Sequence, residues 1–188
     1  MIGFLTPHYR IASVLELTPQ RLRGLGLESL LLDADCTLKR YRGEQCAPGV
    51  AEWLDTLRQA GFGLCLLSNG LGERIGRFAD SLGLPFVAKA LKPLPIGCHR
   101  ALRKMGFRRE TTAMVGDQLF ADVMGGRLAG LTTFLVEPIH PEEEPWFTRL
   151  KRGPERWLLR KQQVRTYSSR SAVMVFSSRR SVMNTFRA

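Results

Sequence analysis

The chain has 188 residues, of which 44% are hydrophobic and 24% charged, with a formal net charge of +11. That balance fits one packed domain with appendages and excludes a disordered or fibrous chain. No apolar run approaches the roughly 18 residues a bilayer crossing needs, and the start lacks a basic n-region followed by an apolar stretch, so neither a membrane span nor a secretory leader is expected.

The four cysteines (Cys36, Cys46, Cys65, Cys98) form no CxxC pair and no metal spacing, which predicts reduced thiols and a cytoplasmic protein. The positive charge is uneven. Residues 151–188 hold ten Lys/Arg and one acid, while the preceding 150 residues carry 18 basic and 16 acidic side chains. The basic character therefore belongs to the C-terminal end and speaks of partners rather than of chemistry.

In chain order, Thr18-Pro19 is a helix start, with Thr18 as cap and Pro19 in the first turn, inside a helical lead-in over 1–28. Residues 30–32 (Leu-Leu-Leu) form a short apolar run ending at Asp33 and predict a buried strand. Pro48 opens a helix with Val50, Trp53, Leu54 and Leu57 on one face, closed near Gly61. A second apolar run over 64–67 leads into Ser68-Asn69-Gly70, followed by a helix over 71–82, a brief strand at 86–87 and a helix over 95–105. Residues 112–115 predict the next strand, 119–128 a helix and 131–136 the last strand. Strands alternating with helices predict an α/β domain: a Rossmann-like three-layer sandwich with a mostly parallel central sheet. Two short helices, 145–151 and 154–161 separated by Gly153, make a basic aromatic segment over 141–161; residues 162–188, with six Ser, five Arg and no acid, are expected to be disordered.

Ligands of such sheets bind beyond the carboxyl ends of the strands. Asp33, Ser68 and Asp117 each directly follow a strand run and so share that edge. Asp33-Ala34-Asp35-Cys36-Thr37 pairs two carboxylates with a hydroxyl. Asp33 is placed to attack phosphorus and form an aspartyl-phosphate, and Asp35 to protonate the leaving oxygen and then deprotonate water. Alone, DxDxT also reads as an acidic turn. Gly116-Asp117-Gln118-Leu119-Phe120-Ala121-Asp122 supplies further acids for an oxygen-rich Mg²⁺ shell. The metal set is Asp33, Asp35, Asp117 and Asp122, with Asp117 direct, a backbone carbonyl included and Asp122 acting through water or holding the shell; alone, Asp122 also reads as a solvated helix residue. Ser68 and Asn69 at a helix N-terminus, with Thr37, suit phosphoryl oxygens, although a plain helix cap uses the same residues. Lys92-Pro93 adds an ammonium against the negative charge. The glycines at 70, 72 and 76 have the wrong spacing for a dinucleotide loop. His8, His99 and His140 lack ligand spacing and read as structural or surface residues.

The order DxDxT, Ser-Asn, Lys-Pro, GDxxxxD resembles the haloacid-dehalogenase phosphatase superfamily over about 30–136. Within it, Leu17-Thr18-Pro19, Gly26-Leu27, LLLDADCTL, LLSNG, LKPLP and VGDQLFADVMGGRLAG resemble the YqeG group, related to phosphatases that act on phosphatidylglycerophosphate. The resemblance implies a haloacid-dehalogenase-like domain over 29–140, Mg²⁺ as cofactor, and a lipid phosphate as substrate in phospholipid synthesis. Cys36 departs from the Asn that members usually carry there. Only 32 residues separate Asp35 from Ser68 and 23 separate Ser68 from Lys92, so no substantial cap domain fits. An uncapped site admits a bulky or surface-held phosphate.

Trp146 and Trp157, amid Arg149, Lys151, Arg152, Arg156, Arg160 and Lys161, suit an anionic membrane surface, so the protein is expected in the cytoplasm and peripherally at the membrane; the alternative is that both tryptophans pack on the domain. Three other readings rank lower: a phosphatase of soluble phosphomonoesters; a phospho-acceptor domain, disfavoured because the lysine precedes the final acids; and a basic RNA- or ribosome-associated protein, for which no nucleic-acid-binding fold signature is present.

Overall fold

The computed structural model describes residues 3–143, 153–155 and 157. Six strands, β1 (Tyr9–Ile11), β2 (Ser29–Leu32), β3 (Gly63–Leu67), β4 (Phe86–Val87), β5 (Thr112–Gly116) and β6 (Thr132–Val136), make one sheet in the order β1-β6-β5-β2-β3-β4. Every pairing is parallel. Central strands β2 and β5 are buried along their whole length, as an apolar run covered by helices on both faces must be.

Side chains of β2 alternate between two cores. Leu30 and Leu32 point to the layer holding α2 (Val50–Gln59) and α3 (Gly72–Ser81) through Trp53, Leu57, Ile75 and Phe78. Leu31 points to the other, with Met114 of β5 and Cys98 and Ala101 of α4 (Ile96–Met105), after α1 (Pro19–Gly24) has opened the chain's helical series. On that second face α5 (Met124–Leu128) comes so close to the sheet that a Cβ on Gly126 would lie 2.8 Å from Met114 and from Thr133. The three-layer α/β sandwich is as the sequence predicts, and the links between strands leave no room for a cap domain.

Observed elements depart from the sequence reading in three places. The 1–28 lead-in is more than helical: Tyr9–Ile11 pairs with β6 and forms one edge of the sheet, Tyr9 stacking on Phe134 with ring centroids 5.0 Å apart. The helix expected over 119–128 begins as a π-helical turn, Leu119–Val123, before it becomes α5; such turns concentrate at functional sites. Gly153, read as a break between two helices, is itself helical with Pro154 and Glu155. The rest of those two helices, Trp146, and the tail over 162–188 lie outside the described residues. No helix among the described residues is long and apolar enough to cross a membrane.

Candidate active site

Strand order places the chemistry. From β2 the chain runs outward to β3 and β4, then returns to the other flank as β5 and β6, so β2 and β5 bound the point where the winding reverses. Leu32 pairs with Val115 across that boundary, and Asp33 and Asp117 follow directly. In open parallel sheets this crevice is the ligand site.

Asp33, Asp117 and Asp122 are all buried there, and each offers a carboxylate oxygen within 4.8 Å of the others. Lys92 Nζ donates to Asp33 Oδ1 at 2.5 Å, to Asp122 Oδ1 at 2.6 Å and to the Leu67 carbonyl at 3.0 Å. Thr37 Oγ1 lies 3.2 Å from Asp117 Oδ1 and 3.5 Å from Asp33 Oδ2, with one proton to share. Asp122 is therefore no solvated helix residue. Its other oxygen accepts the Gln118 N–H at 3.0 Å, and its carboxylate occupies the space a side chain would need at Gly116, where a Cβ would fall 2.3 Å from its Cγ.

Three carboxylates against one ammonium leave the cluster net negative. Burial pushes Asp33 up to about 7, with Asp122 adding to the rise and Lys92 opposing it. Burial alone would lower Lys92, but Asp122 and Asp33 raise it above its ordinary value, so it remains an ammonium. A hard cation with oxygen ligands fits this donor set, and the oxygens of Asp33, Asp117 and Asp122 are the ones placed to hold it.

Ser68 and Lys92 come from two loops laced together. Ser68 Oγ accepts the Gly70 N–H at 3.1 Å, the Ala90 N–H donates to the Ser68 carbonyl at 3.0 Å, and Lys92 joins Pro93 by a cis peptide. Asn69, expected to touch phosphate, uses both ends of its side-chain amide on the Lys92 backbone: Nδ2 donates to Lys92 O at 2.9 Å and Oδ1 accepts Lys92 N–H at 2.8 Å. It positions the lysine.

Asp35 differs most from expectation. Its carboxylate lies outside the acid cluster, in a basic cage. Arg74 grips it with both nitrogens, Nη1 to Oδ1 at 2.9 Å and Nη2 to Oδ2 at 2.6 Å; the Arg42 N–H adds a bond at 3.1 Å, and the buried Lys39 ammonium completes the cage. Burial raises Asp35, but hydrogen bonds and charge from Arg74 and Lys39 more than offset this and hold it at about 2. The Asp35 carboxylate, expected among the metal ligands, is thus engaged by Arg74, Lys39 and the Arg42 N–H rather than grouped with Asp33, Asp117 and Asp122.

A haloacid dehalogenase-like hydrolase profile matches residues 9–130. The chain belongs to that family. It is 31% identical over 156 residues to the probable phosphatase YqeG of Bacillus subtilis, covering 83% of this chain and 90% of that protein. It is 25% identical over 168 residues to phosphatidylglycerophosphate phosphatase 1, chloroplastic/mitochondrial, of Arabidopsis thaliana, covering 84% of this chain and 48% of that one. It is 32% identical over 108 residues to the pyrimidine 5'-nucleotidase PynA of Streptococcus pneumoniae, covering 52% and 46%. The chain thus spans about half the length of the last two. Among solved structures, NagD from E. coli K-12 matches with a TM-score of 0.51 at 16% identity, over 66% of this chain and 91% of that one, a likeness of fold. This haloacid dehalogenase-like protein is a phosphatase.

Cys36, which stands where members of the family usually carry Asn, has φ +64°. Asn is several-fold enriched in that left-handed region, so Cys36 holds a backbone conformation that suits Asn better than Cys. Arg74 and Lys39 escaped the sequence reading because nothing in the four motifs marks them; Arg74 joins Asp35 across 39 positions. None of the three histidines belongs to the Asp33–Asp117–Asp122 group. His8 is lowered by burial and accepts the Thr133 N–H at 3.0 Å, His99 is exposed, and His140 lies beside Glu142 and Glu143 with Arg40 against the group. All four cysteines are unbridged, and burial pushes Cys65 and Cys98 up to about 11, far from thiolate reactivity.

Proposed function

We propose that this phosphatase hydrolyses phosphomonoesters with Mg²⁺ through an aspartyl-phosphate on Asp33, and that its substrate is a lipid phosphate of the phosphatidylglycerophosphate kind. One observation carries the reading: three buried carboxylates converge with the Lys92 ammonium at the crevice where the sheet reverses. Asp33 and Asp117, with Asp122 behind them, are the residues to hold Mg²⁺. Bound there, the ion neutralises phosphoryl oxygens that would otherwise repel a carboxylate nucleophile.

A carboxylate oxygen of Asp33 attacks phosphorus, and the bond to the leaving oxygen breaks. Lys92, the Ser68 and Thr37 hydroxyls and the main-chain N–H groups near Asn69 take the phosphoryl oxygens. Asp35 gives the leaving oxygen its proton and takes one back from the water that releases phosphate. Held at about 2, Asp35 carries no proton in the resting arrangement, so its acid role requires the grip of Arg74 and Lys39 to loosen when substrate enters.

Three observations support a lipid substrate: the uncapped site, the similarity to the Arabidopsis phosphatidylglycerophosphate phosphatase, and a basic segment over 141–161 whose Trp157 is exposed and suits an anionic membrane surface. Similarity to the pyrimidine nucleotidase PynA favours a second reading, a soluble phosphomonoester. A phosphate-release panel of lipid, sugar and nucleotide monophosphates decides between them. The expected result is release from the lipid, abolished by EDTA and reduced about a thousandfold or more in Asp33→Asn. Turnover of nucleotides or sugars alone would favour the second reading, and undiminished turnover by Asp33→Asn would sink the nucleophile.

A further inference from the structure

The two laced loops that bring Ser68 and Lys92 to the site also carry a concentration of exposed apolar side chains. Among the described residues eight large hydrophobics are exposed, and four of them, Leu71 (73%), Leu91 (56%), Leu94 (51%) and Ile96 (46%), lie in 71–96 beside the phosphate-side residues. Singly exposed leucines are ordinary on protein surfaces; apolar residues concentrated at the mouth of a polar site mark a contact surface.

These side chains stand on one connected unit. Lys89 N–H donates to the Gly70 carbonyl at 3.2 Å, and the Asn69 amide clasps the Lys92 backbone, so Leu71 on one loop and Leu91, Leu94 and Ile96 on the other are held at the same end of the sheet. Leu91 has φ +58° and Lys89 φ +47°. A bulky residue rarely adopts that backbone, and here the conformation leaves an apolar side chain in water and an ammonium beside it.

Exposed Lys89 and, at the next turn of chain, Arg100 supply positive charge beside these leucines, while the exposed Glu73 next to Leu71 is paired with Arg77 at 3.7 Å. Residues 81–109 contain seven Lys/Arg and no acid. Farther along the same segment, Arg100, Arg103 and Lys104 with Phe86, Val87 and Ala88 line a hollow of about 460 Å³ at the β4 edge. Leucines flanked by cations match the boundary of an anionic bilayer, where apolar side chains reach the acyl region and basic ones the headgroups.

We propose that the loops 69–71 and 89–96 form a bilayer-docking face that sets the phosphate pocket against an anionic lipid surface. The inference rests on the lipid-phosphate reading for its purpose, since a phosphorylated headgroup then reaches Asp33 without leaving the bilayer. It is distinct from attraction by the basic segment over 141–161, which is electrostatic and screened by salt, whereas insertion of leucines is not.

The test uses the full chain and vesicles of phosphatidylcholine with phosphatidylglycerol, comparing wild type with Leu71→Ser/Leu91→Asn/Leu94→Ser; Asn tolerates the backbone of Leu91. At about 0.5 M salt, where screening is nearly complete, wild type is expected to co-sediment. The triple variant should lose on the order of tenfold in partitioning while hydrolysing a soluble aryl phosphate at the wild-type rate, which also reports its folding. Equal partitioning of the two proteins in high salt overturns the docking face. So does equal hydrolysis by both of a lipid phosphate presented in vesicles, which would leave the lipid-substrate reading standing. Loss of partitioning in the variant, with no lipid hydrolysis by wild type, keeps the face and removes the substrate.

Discussion

At the scale of single residues, opposite displacements of Asp33 and Asp35 give testable pH behaviour. Burial lifts Asp33 to about 7 in the metal-free protein, so below that pH a cation must displace a proton to use its carboxylate. Divalent affinity is expected to climb about tenfold per unit as pH rises towards 7 and to level off above it; calorimetric titration in buffers of different ionisation enthalpy reads the released proton directly. Asp35 moves the other way. Its folded value near 2 is below the ordinary 3.8, so its grip stabilises the fold above pH 3.8, and that stabilisation fades as pH falls through 2. Arg74→Ala should therefore cost about 1–2 kcal/mol at pH 7, discounted for the part-exposed guanidinium, with a gap to wild type that narrows towards pH 2 in urea unfolding curves. Asp33 and Asp117 were legible in the sequence because each follows a short apolar run, and Asp35 and Asp122 only by their spacing from those two. The state of Asp35 was not legible, since it is set by Arg74 and Lys39, whose approach depends on how α3 packs.

At the scale of elements, the π-helical turn and Gly116 act together. The turn over Leu119–Val123 lets Asp122 reach back over the end of β5, and the missing side chain at Gly116 leaves room for its carboxylate. Gly116→Ala would push that carboxylate away from Lys92. The expected cost is about 1–3 kcal/mol of stability from overpacking, together with weaker divalent binding; thermal melts and metal titration check the two separately. A melt and a metal affinity both equal to wild type would show that Asp122 has slack to move. From the sequence, the glycine reads only as the first residue of the GDxxxxD motif and the turn as an ordinary helix. A π-turn has the same composition as an α-turn, and its extra residue becomes apparent only when the loop is seen bending around an acid. Strands β2, β3 and β5 were legible by contrast, because apolar runs of three or four residues, each ending at a motif, leave few alternatives.

At the scale of the whole molecule, segments remote in sequence complete the domain. Glu155, the one acid beyond residue 150, is buried and accepts the Phe120 N–H at 3.1 Å, in the turn between Asp117 and Asp122. Glu155→Ala should leave that N–H without its partner, at about 1–3 kcal/mol, measurable as a lower urea midpoint; an unchanged midpoint would mean this bond contributes nothing to stability. Neither this tie nor β1 could be read locally. Tyr9-Arg10-Ile11 is too short to announce a strand, and its burial depends on Phe134.

Because Tyr9 pairs with Phe134, β1 leaves the ribosome and has to wait for β6. At about 5–20 residues per second, synthesis of the intervening chain takes on the order of ten seconds. Throughout that interval β1 has no native partner strand, and the flank of the sheet it will cover is not yet made. A slowed stretch of translation within residues 12–131 would prolong this exposure, whereas one placed after 136 would give the edge time to close before release.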